Sequence, residues 1–288
     1  MFKGTYVAIV TPFKNGKIDE KKFAEHIEFQ IKNGIDGIVP AGCTGEAATL
    51  NHNEQKDFIK LTSEIVNGRT SVIAGAGSNS TEEAVSLTKF AENAGCNGAL
   101  SITPYYNKPT PEGQYRHYEA IAKAVDIPIM LYNVPSRTGV CMTPETIARL
   151  SKIDNITTVK EASGSLDQVS QIASLCDITI LSGDDSLTVP MMSIGAMGVV
   201  SVVANIIPRE IKDMVSLFLN GDVEKAKKLH YQSLPLTKAM FIETNPIPVK
   251  TAMKMIGTGN GEFRLPLCEM EKENEAKLKK TLKRYGLL

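Results

Sequence analysis

The sequence predicts an α/β fold, a closed (β/α)8 TIM barrel followed by a C-terminal helical extension. Three observations carry that reading. Short β-branched runs bounded by Gly, Pro or Asn alternate with amphipathic segments through most of the 288 residues, the pattern of parallel βα units. Eight such runs fall within about 210 residues, and closure removes the two edges that an open sheet would have to protect. From about Asp222 onward only helical periodicity continues, so we expect a barrel over 1–221 and a helical domain over 222–288.

The strand segments, in order, are "YVAIVTP" from Tyr6, "GIVPAG" from Gly37, "SVIAGAG" from Ser71, "GALSITP" from Gly98, "PIMLYNV" from Pro128, "ITTVKEA" from Ile156, "ITILSGDD" from Ile178 and "GVVSVVAN" from Gly198. Between them, apolar residues recur at helical spacing: Phe58, Leu61 and Ile65; Leu166, Val169, Ile172 and Ala173; Ile211, Val215, Phe218 and Leu219. Each stripe suits a helix covering one face of a sheet. Start signals accompany several helices, such as Thr81 before acidic residues, and "TPET", which places Pro144 at a first helical position. The helical extension is expected to break at "NPIP" and at an "LP" pair.

Composition removes several function classes. The 32 basic residues balance 32 acidic ones and the pI is about 6.9, so nothing calls for nucleic acid or an anionic membrane. The N-terminus lacks a signal-type apolar region and no stretch is apolar for long enough to span a bilayer, so a soluble, cytoplasmic protein is expected. The five cysteines (Cys43, Cys96, Cys141, Cys176 and Cys268) are scattered without a C-x-x-C pair, and the four histidines are equally dispersed. Neither a disulfide scaffold nor a zinc site fits that spacing, and no metal is expected.

In a parallel barrel, chemistry comes from the C-terminal ends of strands. The second run ends in Cys43, Thr44 and Glu46; the fourth in Tyr105 and Tyr106; the fifth in Tyr132, followed by Arg137; the sixth carries Lys160; the seventh ends in Gly183, Asp184 and Asp185. Alternation puts Ile156, Thr158 and Lys160 on one face. Lys160 is open to two readings: a lysine emerging into solvent, or a desolvated amine. In the second case its pKa falls from ~10.4 toward ~7, roughly 4 kcal/mol between protonation states, and it becomes a nucleophile for a ketone. Tyr132 is either a core residue with an anchored hydroxyl or a proton shuttle beside such a lysine. Arg137 is either a surface cation or a fork for a substrate carboxylate. The "GCTGE" turn offers N–H groups and the Thr44 hydroxyl as a cradle for a small carboxylate. "GAGSNS" imitates a dinucleotide fingerprint but has Ser80 where the last glycine belongs. Asp184 and Asp185 lack further carboxylates for Mg²⁺ and are expected to cap a loop.

Together, "GCTGEAATLN", "AGAGSNST", "ITPYYNKP", "YNVPSRTG", "VKEASG", "LSGDD", "GVVSVVAN" and "FIETNPIPVKTAM" resemble, in order and spacing, the pyruvate-dependent class I aldolase/lyase family over essentially the whole chain. Within it, the chain is most similar to members that join pyruvate to aspartate 4-semialdehyde in lysine biosynthesis. The resemblance implies Lys160 as the Schiff-base lysine and Tyr132 as proton donor and acceptor. It implies Thr44 and the backbone at Val200 as pyruvate ligands, Gly183 as a lining residue, and Arg137 as holder of the second carboxylate. Tyr106 would enter from a neighbouring subunit of a homotetramer, a dimer of dimers, to join a hydroxyl relay. No metal or organic cofactor is implied.

A lysine-inhibitor site at an interface is matched by His52, Asn79, Glu83 and Tyr105, whereas Ala47 and Gln55 depart from the commonest pattern. Cys43 also departs, standing where the family usually has a relay hydroxyl; a thiol is a poorer hydrogen-bonding group. The competing readings are an N-acetylneuraminate lyase or 2-keto-3-deoxy sugar acid aldolase of the same family, against which Arg137 argues, and a non-catalytic keto-acid-binding barrel, against which Lys160, Tyr132 and Thr44 argue together.

Overall fold

The structure, a computed structural model, describes residues 2–288. Eight parallel strands form a closed barrel: β1 (Gly4–Ala8), β2 (Gly37–Val39), β3 (Ser71–Gly75), β4 (Gly98–Ile102), β5 (Ile129–Asn133), β6 (Ile156–Glu161), β7 (Thr179–Ser182) and β8 (Gly198–Ser201). All eight expected strands are present, in sequential order, with β1 pairing both β2 and β8. Each is shorter than its apolar run, because the last residues of the run turn out of the sheet to build the loops at the barrel mouth. Closure depends on Gly198, whose φ of +149° suits glycine and whose missing Cβ would sit 1.9 Å from the Gly4 carbonyl oxygen across the β1–β8 seam.

Both faces of the sheet are buried, as parallel packing requires. Tyr6, Ala8, Val39, Ile73, Leu100, Met130, Tyr132, Leu181 and Val200 pack together inside the barrel, while Ile129, Leu131 and Val159 pack outward against the helices. One expectation fails here. Ile129 is in register with Ile156, but Met130 is in register with Thr158. That irregularity leaves Ile156 on the helix side with Val159 and turns only Thr158 and Lys160 inward.

The helices also correct their stripes. In His52–Val66 the buried set is Gln55, Phe58, Ile59, Thr62 and Val66; Leu61 and Ile65 lie at its margin. Two members are polar and invisible to apolar periodicity: Gln55 Nε2 donates to the Gly75 carbonyl and Thr62 Oγ1 to that of Phe58. Of Leu166–Leu175 only Val169 and Ile172 are buried, and in Pro208–Leu219 Met214 joins Ile211 and Val215 while Leu219 is exposed. Short strands cover only the middle of a longer helix. The third-strand helix, Thr81–Asn93, is capped by Ser80 rather than Thr81, whereas Thr143 caps Pro144–Leu150 as expected.

Beyond Asp222 lie helices Val223–Ala239, Ile247–Met255 and Lys272–Tyr285. The breaks fall at Asn245–Pro246 and Leu265–Pro266, both cis, while Pro235 of another Leu-Pro pair lies within a helix. Leu236, Met240, Val249, Met253, Leu278 and Leu282 join the same core as the outer barrel face. No helix among the described residues is long and apolar enough to cross a membrane.

Candidate active site

Lys160 and Tyr132 stand side by side. They occupy paired positions on β6 and β5, so both project into the barrel, and the Lys160 Nζ lies 4.1 Å from the centre of the Tyr132 ring. Lys160 is only 5 % exposed, which excludes the solvent-emerging reading. Burial lowers its pKa to about 8; Cys43 and Asp185 oppose that shift electrostatically, and Arg137 adds to it. About a tenth of the amine is then neutral at pH 7, against about one part in three thousand for an ordinary lysine. The Tyr132 hydroxyl is pushed well above its ordinary range by burial, then by the neighbouring Cys43 thiol, so it stays protonated and able to donate.

The other predicted residues converge on this pair. Gly183 follows β7 and packs directly on the Lys160 side chain: a Cβ there would lie 3.1 Å from its Cγ and Cε and 2.7 Å from the Ala162 Cβ. Val200 is buried in the same interior layer. Thr44 is buried, and its Oγ1 accepts a hydrogen bond from Asn245 Nδ2 at 2.9 Å, which leaves the hydroxyl proton free for a ligand. Arg137 sits on a one-turn helix, Pro135–Thr138, and donates to the Asn245 carbonyl at 2.7 Å. Asp184 and Asp185 cap loops as expected. Asp184 accepts from Ser186 N, and the buried Asp185 accepts from the Ser201 hydroxyl and from Val202 N, tying β7 to the loop after β8. Burial raises the Asp185 pKa to about 6 despite those bonds.

Tyr106 is not brought into this pocket by its own chain. It is 89 % exposed with a φ of +70°, so its ring stands clear of the barrel that carries it. Beside it the four residues of the second predicted cluster form two pairs, His52 with Glu83 and Asn79 with Tyr105. His52 Nε2 lies 3.5 Å from Glu83 Oε2, Ser78 Oγ donates to Glu83 at 2.7 Å, and Asn79 Nδ2 donates to the Tyr105 carbonyl at 3.2 Å. Gln55, one of the departing positions, is spent on the Gly75 carbonyl. Among the described residues no three His, Cys, Asp or Glu side chains gather as a metal-binding group.

Two residues around the carboxylate cradle escape sequence reasoning. Asn245 touches both Thr44 and Arg137, and Lys250 forms a buried ion pair with Glu46 at 2.5 Å. Lys250 leaves a signal nonetheless. It is the one cation inside the apolar helical stretch "IPVKTAM", and a charge in a buried stripe needs a partner. The partner lies 204 positions away, beyond the reach of local pattern.

The Dihydrodipicolinate synthetase family profile matches residues 1–285. The chain is 56 % identical over 290 residues to the 4-hydroxy-tetrahydrodipicolinate synthase of Geobacter sulfurreducens and 54 % identical over 289 residues to that of Methanocaldococcus jannaschii, in each case covering all of both chains. Among solved structures, dihydrodipicolinate synthase from Aquifex aeolicus matches with a TM-score of 0.98 at 48 % identity, covering 99 % of each chain. The Acinetobacter baumannii enzyme complexed with pyruvate matches at 0.97 and 41 % identity, covering 100 % of both chains. The Cyanidioschyzon merolae enzyme with lysine bound matches at 0.96 and 42 % identity, covering 100 % of this chain and 99 % of that one. With its barrel, its buried lysine and this full-length similarity, the chain belongs to the dihydrodipicolinate synthetase family.

Proposed function

We propose that the chain is a 4-hydroxy-tetrahydrodipicolinate synthase, a lyase of lysine and diaminopimelate biosynthesis that condenses pyruvate with L-aspartate 4-semialdehyde through an imine on Lys160. The observation that carries this reading is the buried amine of Lys160, lowered to about 8, against the Tyr132 ring. Neutral Lys160 attacks the pyruvate keto carbon, and Tyr132 supplies the proton that lets water leave as the imine forms. Loss of a methyl proton to the Tyr132 phenolate left by that step gives the enamine, whose carbon attacks the aldehyde of the second substrate as Tyr132 hands the proton on to the new alkoxide. The amino group of that substrate then attacks the imine carbon, closing the ring and freeing Lys160.

Thr44, its neighbouring N–H groups and the backbone at Val200 hold the pyruvate carboxylate, and Arg137 holds that of the semialdehyde. No step calls for a metal or an organic cofactor. Cys43 occupies the middle of the proton relay, with Tyr106 entering from a second copy of the chain in a homotetramer built as a dimer of dimers. The exposure of Tyr106 supports this arrangement. Free L-lysine is the ligand for the His52, Asn79, Glu83 and Tyr105 cluster, and the enzyme acts in the cytoplasm.

Borohydride reduction in the presence of pyruvate tests the chemistry: a mass adduct on Lys160 is expected, and no adduct, or one elsewhere, overturns it. A coupled assay with aspartate semialdehyde and with N-acetylmannosamine tests the second substrate, and activity only with the sugar would reassign it. Initial rates unchanged by millimolar lysine would remove the inhibitor site.

A further inference from the structure

We infer that Lys250, through its buried ion pair with Glu46, is a positioning residue that holds the Gly42–Glu46 turn in the geometry that binds the pyruvate carboxylate; this rests on the assignment of Thr44 as a pyruvate ligand. The turn is short and closed on itself: Glu46 N donates to the Cys43 carbonyl and Ala47 N to that of Gly42. Thr44 and Gly45 therefore move with whatever fixes Glu46. Glu46 adopts φ +55°, in the left-handed region that a residue with a Cβ enters only when its surroundings impose it.

Those surroundings are the C-terminal helix Ile247–Met255. The Glu46 and Lys250 side chains are 0 % and 3 % exposed. The Lys250 ammonium lies 4.5 Å from the centre of the Phe13 ring and 5.1 Å from that of Phe263. Glu46 Oε1 binds Lys250, and Oε2 has no partner among the described residues. A second tie reaches the same turn from the same segment, where Asn245 donates to Thr44 Oγ1. Two residues of one chain segment, five positions apart, thus grip both the last residue of the turn and the hydroxyl in its middle. A pair serving only to dock the helix would need neither the left-handed residue nor the adjacent bond to Thr44.

Two variants of the full-length enzyme test this. E46Q keeps the shape and one acceptor of Glu46, and E46Q/K250M removes both charges so that no uncompensated charge is left buried. Both are assayed for melting temperature, for pyruvate KM and kcat, and for the rate of borohydride trapping at limiting pyruvate. The expected result is a pyruvate KM raised at least fivefold in E46Q/K250M and about threefold in E46Q. Trapping should slow in proportion, while kcat at saturating pyruvate changes less than twofold. Wild-type KM and trapping rate in a folded E46Q/K250M would overturn the inference and leave the pair as docking alone. If the double variant does not fold, the isosteric E46Q decides by the same comparison. Failure of the wild-type protein itself to form an adduct would instead overturn the Schiff-base reading.

Discussion

Two lysines of this molecule are almost equally buried, Lys160 at 5 % and Lys250 at 3 % exposure, and burial lowers the pKa of both. They sit in opposite circumstances. Lys250, at the seam between the barrel and the C-terminal helices, has a carboxylate in contact, which opposes that lowering. Lys160, inside the barrel mouth, has Asp185 acting only through space and an aromatic ring beside it. The comparison teaches that burial alone does not make a lysine a nucleophile. The absence of an ion-pair partner in contact does, because only then is losing the proton the cheapest answer to desolvation.

The most direct way to break the contrast is to remove the nucleophile. Lys160→Met should abolish the borohydride adduct and lower turnover by about 10⁴-fold or more. It should also stabilise the fold. Because the folded pKa of about 8 lies below the unfolded value of 10.5, the unfolded chain binds more protons between those values. Stability therefore rises with pH across that window, and below it the native state bears a penalty of about 3 kcal/mol. Urea unfolding at pH 7 should show Lys160→Met more stable by up to that amount; an unchanged or lower midpoint would mean that the amine is not strained by burial.

Tyr132→Phe keeps the ring against Lys160 and removes only the hydroxyl, so turnover should fall by about 10²–10³-fold while the fold holds. Lys250→Met, by contrast, leaves Glu46 buried without a counter-ion and should cost about 3–5 kcal/mol of stability by denaturant unfolding. A loss below about 1 kcal/mol would show that the carboxylate reaches water. Imine formation at limiting pyruvate should rise about tenfold per pH unit below pH 8 and level off above it, since the reactive form is the neutral amine; a flat profile would remove the free amine as the attacking species. The smallest effect belongs to Cys43→Thr, which restores a relay hydroxyl and should raise turnover by about two- to fivefold. Unchanged turnover and pH profile would show that the thiol does not weaken the relay.

Much of the barrel mouth is legible because it depends on local order. The strand segments, the strand-end position of Lys160 and Tyr132, and the capping role of Asp184 follow from alternation and turn chemistry within a few residues. The buried faces of the helices were less legible. Gln55 and Thr62 face inward although they are polar, each satisfied by a backbone carbonyl that periodicity does not reveal. Ile156 lies outside the barrel because of a register shift, a feature of strand pairing rather than of one strand.

By itself, then, the sequence determined eight strands, their order, and a lysine, a tyrosine and a threonine at the ends of three of them, because these are properties of segments six to eight residues long. Tertiary structure alone decided which lysine is free to react and which is tied. The partners of Lys250 and Thr44 lie 204 and 201 positions away in the chain, and no local pattern measures the distance between residues that only the closed barrel brings together.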